Sequence, residues 1–462
     1  MNHDRRQFLQ TGAAALAAPA QAAGAAEKLP NIIYLHSHDT GRYIQPYGYA
    51  IPTPNLQKLA EQGVLFRKAF NAAPTCSPSR AALLTGQAAH SSGMTGLAHL
   101  GFSLNDYSQH ILHTLRKSGY YSALAGVQHV ARDPKTIGYD QVIKVQNTQA
   151  RNVAPAAAAF IKKPPKQPFY IEIGYFETHR KFHPPTKAED ARYCQPPAPM
   201  PDTPEVRGDM AAFKASAAIL DEAVGQILRA LDESGQAENT LVISTTDHGI
   251  PFPGMKCNLT DHGMGVSLII RGPGGFQGGK VVDAMVSHID IFPTVCELIA
   301  APRPEWLQGK SMLPLIRGEK TAINEEIFAE VNYHVPYEPR RAVRTERYKY
   351  IRGFDGRTRP VLPNCDDGPS KEFWTANGWQ NQTVDVERLY DLMFDPAENR
   401  NLAADPAHRK TLEDMRGRLD RWMRETNDPL LKGPVPAPAG AKVGKPDAVT
   451  VQESFRANLS DR

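Results

Sequence analysis

The run Pro74-Thr75-Cys76-Ser77-Pro78-Ser79-Arg80, continuing Ala-Ala-Leu-Leu-Thr to Gly86, puts a cysteine on a rigid turn that leads into a helix. The free N–H groups and positive dipole end of such a helix start can hold an anion. A thiol on that turn is expected to have a lowered pKa and to act as a thiolate nucleophile. Cys76 has no nearby partner for a disulfide or a zinc knuckle. Other reactive residue types follow three apolar runs: H-S-H-D-T-G after Leu35, F-E-T-H after Tyr175 and T-D-H-G after Thr245. These residues alone leave the class of chemistry open.

The elements that must position them read as short buried strands alternating with amphipathic helices. Asn31 to Leu35, Phe169 to Tyr175, Leu241 to Thr245 and Val266 to Ile270 are the strand-like runs. Helical periodicity is clearest from Asp209 to Leu231, with Phe213, Ala217, Leu220, Val224, Ile227 and Leu228 on one face. Strands separated by helices imply an α/β domain with a mostly parallel sheet covered on both faces. Ligands bind such sheets beyond the carboxyl ends of the strands, where the Asp and His residues stand. From about Thr321 the pattern changes to short antiparallel strands, at Ile327 to Val331, Arg341 to Ile351 and Arg388 to Leu392. A helix follows from His408 to Thr426, giving a smaller α+β subdomain.

Four segments follow: a leader over 1–26, a catalytic α/β domain over 27–320, the α+β subdomain over 321–432, and a Pro/Gly/Ala-rich extended tail over 433–462. The leader, with Arg5-Arg6 before a mild Ala/Gly-rich stretch, has the look of a twin-arginine export signal, which places the mature protein in the periplasm or outside the cell. No other segment approaches the roughly 18 apolar residues of a membrane span. The net charge of +4 on 462 residues, without basic runs interleaved with aromatics, argues against nucleic-acid binding. The cysteines, Cys76, Cys194, Cys257, Cys296 and Cys365, are odd in number and lack C-x-x-C spacing, so neither a disulfide framework nor a structural zinc site is expected.

The Cys76 run resembles the signature of the formylglycine-dependent sulfatases, in which C-x-P-x-R marks the cysteine for oxidation to an aldehyde. The resemblance extends to His38-Asp39 and Asp247-His248, similar to the family's paired metal ligands. It also extends to Gly119-Tyr120-Tyr121-Ser122 leading to Gly126 and His129, similar to its second signature. Phe176 to His179, Lys256 and Leu389-Tyr390-Asp391-Leu392 match further family segments, so the likeness covers about Asn31 to Leu431. Within the family the chain looks most like the N-sulfoglucosamine sulfohydrolase, or heparan N-sulfatase, type. The pointers are Asp247 to Pro253, Val343 to Lys349, and Trp422 to Pro429.

The resemblance implies hydrolysis of a sulfate ester or sulfamate, on a glycan such as a glycosaminoglycan fragment or on a small sulfated molecule. A formylglycine-generating maturation enzyme would convert Cys76, and a hydroxyl of the hydrated aldehyde would attack sulfur. Arg80 would orient that group, Lys256 and His179 would bind sulfate and serve the leaving atom, and His129 would act as base. His38, Asp39, Asp247 and His248 would hold a divalent metal. Calcium is the ion the resemblance implies, whereas two imidazoles favour manganese or zinc. Alternatives are a phosphodiester or phosphonate hydrolase with the same architecture, or an inactive glycan-binding relative. Val127 stands where the second signature carries lysine, with Gln128 as a neutral donor beside it. Glu177 reads as a local hydrogen-bond partner, His36 as a residue sharing the face of the ligands, and Asp261-His262-Gly263 as a loop. Substrate contacts are expected from 365–380 and 333–341.

Overall fold

The computed structural model describes residues 28–456. The expected export leader lies outside the described residues, as do the last residues of the tail.

Nine strands make one sheet: Asn31–Ser37 (β1), Val64–Phe70 (β2), Tyr121–Gly126 (β3), Gln141–Ile143 (β4), Phe169–Gly174 (β5), Thr240–Thr246 (β6), Gly265–Val266 (β7), Leu268–Arg271 (β8) and Lys280–Ser287 (β9). The order is β4-β3-β5-β1-β6-β8-β2-β7, with β9 also paired to β2. β4, β3, β5, β1 and β6 are mutually parallel, and β7 and β8 run against their neighbours. The sheet is thus mixed and mostly parallel, as expected for strands alternating with helices.

β1, β5 and β6 are buried along their whole lengths. Alternate side chains enter opposite cores: Ile32, Tyr34, Leu241 and Ile243 on one face, Ile33, Leu35, Val242 and Ile171 on the other. Helices Ala150–Lys162 and Pro204–Glu233 cover the second face through Val153, Ala157, Leu220, Ile227 and Leu231. The long helix begins earlier than its apolar periodicity suggests. Thr203 caps it by accepting from the Val206 N–H, and Pro204 starts the first turn.

The single strand expected over Val266 to Ile270 is split. The Ser267 N–H donates to the Gly41 carbonyl at 2.9 Å, which interrupts the ladder between β7 and β8. Asp261 to Gly263 likewise belong to a one-turn helix, Asp261–Met264, and not to an irregular loop.

The smaller sheet is antiparallel, in the order Glu326–Tyr333 (β10), Tyr337–Thr345 (β11), Tyr348–Gly353 (β12) and Glu387–Asp391 (β13). Its period-two alternation decides what it touches. Val343, Tyr350 and Leu389 pack on Leu412, Met415, Leu419 and Met423 of the Arg409–Glu425 helix. Ala342, Ile351 and Tyr390 face the other way, onto Phe70, Leu259, Met264 and Met285 of the large unit. Residues 433–456 run largely without regular structure along both units: Val435 accepts from Tyr333, Lys442 donates to Leu100, and Gly444 donates to Val335.

Candidate active site

The parallel strands end in register, so residues distant in sequence meet. Ser37 of β1 pairs with Thr246 of β6, and His36 with Gly174 of β5. The next residues, His38-Asp39 and Asp247-His248, leave the sheet side by side. Asp39 takes a left-handed backbone, φ 53°, a conformation Asp adopts more readily than most residues. Its N–H donates to Asp247 Oδ1 at 2.8 Å, which locks the two strand ends together.

Cys76 opens the Cys76–Thr85 helix, every residue of which is buried. Thr75 precedes it in extended conformation, and Ser79 Oγ donates to the Asp247 carbonyl, pinning the first turn against the end of β6. Cys76 Sγ then lies 3.3 Å from His248 Nε2. The nucleophilic thiolate expected of a helix start is not what the structure holds. Burial raises the thiol far above its ordinary range, Asp39 and Asp247 add to this, and Lys256 opposes it too weakly. All five cysteines are free and buried.

One ligand atom each from His38, Asp39, Cys76 and Asp247 lie mutually within 4.8 Å. His248 stands beside them, its Nε2 3.3 Å from Asp39 Oδ1 and 3.7 Å from Asp247 Oδ2. Its Nδ1–H is directed to the Gly249 carbonyl at 3.0 Å, so the Nε2 lone pair faces the cluster. Asp39 Oδ1 and His38 Nδ1 are buried without a hydrogen-bond partner. His38 Nδ1 is 3.0 Å from Asp247 Oδ2 yet not aligned to bond with it. Orphaned lone-pair atoms of a carboxylate and an imidazole, beside a second buried carboxylate, fit a divalent cation. Burial alone would push both carboxyls up. For Asp39, Lys256, His179 and His248 outweigh it; for Asp247, His248, Arg80 and His38 do, and both are held well below the carboxylate range.

A second group adjoins the first through Asp39. Lys256 is buried, and its Nζ donates to Asp39 Oδ2 at 2.9 Å and Asp366 Oδ2 at 2.7 Å, with His179 Nε2 at 3.4 Å. Burial opposes the lysine charge, but Asp366 and Asp39 prevail and hold the ammonium form. His179 donates Nδ1–H to the Arg180 carbonyl at 2.7 Å, leaving Nε2 toward Lys256; burial and that lysine lower its pKa. His129, left-handed at φ 57°, lies with its ring 5.8 Å from that of His38. One of its nitrogens is buried and unpartnered, and the other is 3.0 Å from Nδ1 of exposed His99. Burial, with His38 and Arg80, keeps it neutral.

Arg80 reaches back along β1. Its Nη2 donates to Asp247 Oδ2 at 3.0 Å and to the Ser37 carbonyl at 3.1 Å, and its Nη1 donates to His36 Nδ1. The nine residues singled out from the sequence therefore lie around one buried centre. Sequence reasoning missed Asp366, His99, and the roles of His36 and Glu172. Asp366 does fall in the stretch from which substrate contacts were expected. Gln128 does not fill the gap left at Val127: its amide donates to the Ala131 carbonyl and its oxygen accepts from the N–H groups of Val130 and Ala131. Glu177 accepts from the Ala150 N–H at 2.7 Å and pairs with His183, a local structural role.

Comparison with known proteins bears on what this centre does. A family model described as Sulfatase matches residues 30–301, and one described as N-sulphoglucosamine sulphohydrolase, C-terminal, matches residues 255–369. The chain is 28% identical over 448 residues to N-sulphoglucosamine sulphohydrolase of Homo sapiens, covering 83% of this chain and 88% of that protein. It is 28% identical to an ulvan-active sulfatase of Formosa agariphila, over 91% of this chain and 86% of the relative. Among solved structures, a 2-O GAG sulfatase aligns with a TM-score of 0.68 at 22% identity, over 93% of this chain and 98% of that one. A protein in complex with its substrate D-glucosamine-2-N,6-O-disulfate aligns with a TM-score of 0.67 at 18% identity, over 87% and 99%. At these identities the solved structures speak to the fold.

Proposed function

The chain belongs to the sulfatase family, and from that premise we propose that it removes sulfate from a sulfated carbohydrate, with a glucosamine-containing glycosaminoglycan fragment as substrate class. The observation that carries this reading is the placement of Cys76, within C-S-P-S-R, beside both carboxylates and His248, with the buried Lys256 ammonium joined to Asp39. The glucosamine assignment is supported by the human relative and by the C-terminal family model.

Cys76 Sγ marks the position of the side chain that would become formylglycine, which would supply a hydrated aldehyde hydroxyl as nucleophile. His38, Asp39, Asp247 and His248 would hold a divalent cation, calcium first by family resemblance, which would lower the pKa of that hydroxyl and offset charge on sulfate. Arg80, fixed to Asp247 and the end of β1, sets the orientation of the Cys76 side chain. Lys256 places a permanent positive charge where a sulfate oxygen would bind, and burial strengthens it by excluding water. Asp366, on the outer side of Lys256, keeps that ammonium charged and limits how far it moves. His179, its Nε2 turned to Lys256 at 3.4 Å, stands beside that charge to bind sulfate and serve the leaving oxygen or nitrogen. His129 is neutral and presents an unpartnered nitrogen, as a base for releasing sulfate requires.

Export through the Arg5-Arg6 leader and oxidation of Cys76 by a maturation enzyme belong to the same reading: a folded, periplasmic or secreted glycan-degrading enzyme. Turnover of a glucosamine sulfamate, a sugar O-sulfate, an aryl sulfate and a phosphate diester by one preparation tests it. Sulfamate or O-sulfate turnover well above phosphate diester turnover is expected, and the reverse order would replace it with the phosphodiesterase reading. Chelation is expected to abolish activity, with calcium restoring it better than manganese or zinc.

A further inference from the structure

We propose that His36 and Glu172 are a positioning pair that fixes Arg80 in the orientation the Cys76 site needs. The proposal rests on the sulfatase reading for the meaning of Arg80, and on the geometry below for the pair itself. Arginine carries donors and no acceptor, so the ring nitrogen of His36 that meets Arg80 Nη1 must be a bare lone pair. The proton of the neutral ring is then on Nε2, which lies 3.0 Å from Glu172 Oε1 and donates to it. The other carboxylate oxygen accepts from Tyr139 at 2.6 Å and Tyr170 at 3.3 Å. Glu172 thus dictates the tautomer of His36, and that tautomer dictates which edge of Arg80 it can hold.

Glu172 is 0%, His36 1% and Arg80 2% exposed. A carboxylate this deep in a central strand, contacted by no lysine or arginine among the described residues, is costly to bury. Packing alone would favour an apolar side chain there, as at Ile171 and Ile173 on either side. The backbone also makes room for the ring. A Cβ on Gly174 would come 2.4 Å from His36 Cε1 and 2.0 Å from the Val127 carbonyl.

Replacing Glu172 by Leu should free His36 to turn over and leave Arg80 Nη1 without its acceptor. Glu172→Leu is expected to lower kcat about ten- to a hundredfold with KM changed less than about threefold. Glu172→Gln, which keeps an acceptor for Nε2–H, should recover most of that loss. In an Arg80→Lys background Glu172→Leu should cost less than about threefold further, because the pair acts through the arginine. Full additivity with Arg80→Lys, or a change confined to KM, would overturn the proposal. Histidine-selective nitrogen NMR of the unmutated protein gives a readout that needs neither variant nor turnover: His36 protonated at Nε2 and bare at Nδ1 is expected, and the opposite tautomer would overturn it. Absence of any sulfatase turnover would instead strike the functional reading and leave the tautomer result standing.

Discussion

Val127 follows Gly126 where the related signature has lysine, and the loop geometry removes the obvious substitute, since the Gln128 amide is spent on Val130 and Ala131. Lys256, Arg80 and His179 are left as the positive or donor groups near the sulfate position. Val127→Lys is expected to raise kcat/KM for a small aryl sulfate by roughly tenfold, the worth of one charged hydrogen bond at the low end. An unchanged rate would show that residue 127 does not face the bound sulfate. Residues that sit in contiguous motifs, such as Cys76 with Arg80 or Asp247 with His248, were legible because a local turn or strand end fixes their spacing. Glu172 and Asp366 were not. Each is a lone acid whose partner is remote in the chain: His36 lies 136 positions from Glu172, and Lys256 lies 110 from Asp366. Only the register of β1 on β5 and the closure of the smaller unit over the large one bring them together.

At the scale of elements, β1, β5 and β6 announce themselves as unbroken apolar runs because both faces are covered. β2 and β9 do not, since Arg67 and Lys68 or Lys280 and Asp283 interrupt them near the sheet edge. The ladder break at Ser267 depends on a carbonyl from Gly41, which no local pattern reveals. The close approach of β3, β5 and β1 behind the site depends on bare Cα atoms: a Cβ on Gly126 would come 2.2 Å from the Gly174 carbonyl, and one on Gly174 would strike the His36 ring. Gly174→Ala should therefore cost about 1–3 kcal/mol of stability from overpacking and lower kcat as His36 is displaced. Urea unfolding together with steady-state rates checks this; a variant of unchanged stability and kcat would show that the strands can part without disturbing the site.

Across the whole molecule, the smaller sheet is tied to the large unit by buried charge as well as by apolar contact. Lys349 Nζ lies 2.5 Å from Asp261 of the large unit and 2.9 Å from Glu398 of the smaller one, with no exposure of its own. Arg344 adds a second pair to Asp261. Lys349→Met would leave the buried Glu398 carboxylate without its cation, beside a partly buried Asp261 that keeps Arg344, and is expected to destabilise the protein by about 3 kcal/mol, read as a lowered unfolding midpoint. A midpoint within error of the parent would mean that the apolar interface alone holds the units together. That interface matters for chemistry because Asp366 comes from the smaller unit and meets Lys256. The account as a whole stands on Cys76, buried with a raised thiol pKa and surrounded by groups suited to an oxygen ligand. Mass spectrometry of the Cys76 peptide from active protein tests it most directly. The account predicts a residue about 18 Da lighter than cysteine, in proportion to the specific activity of each preparation, whereas full activity with an unmodified Cys76 thiol would contradict it.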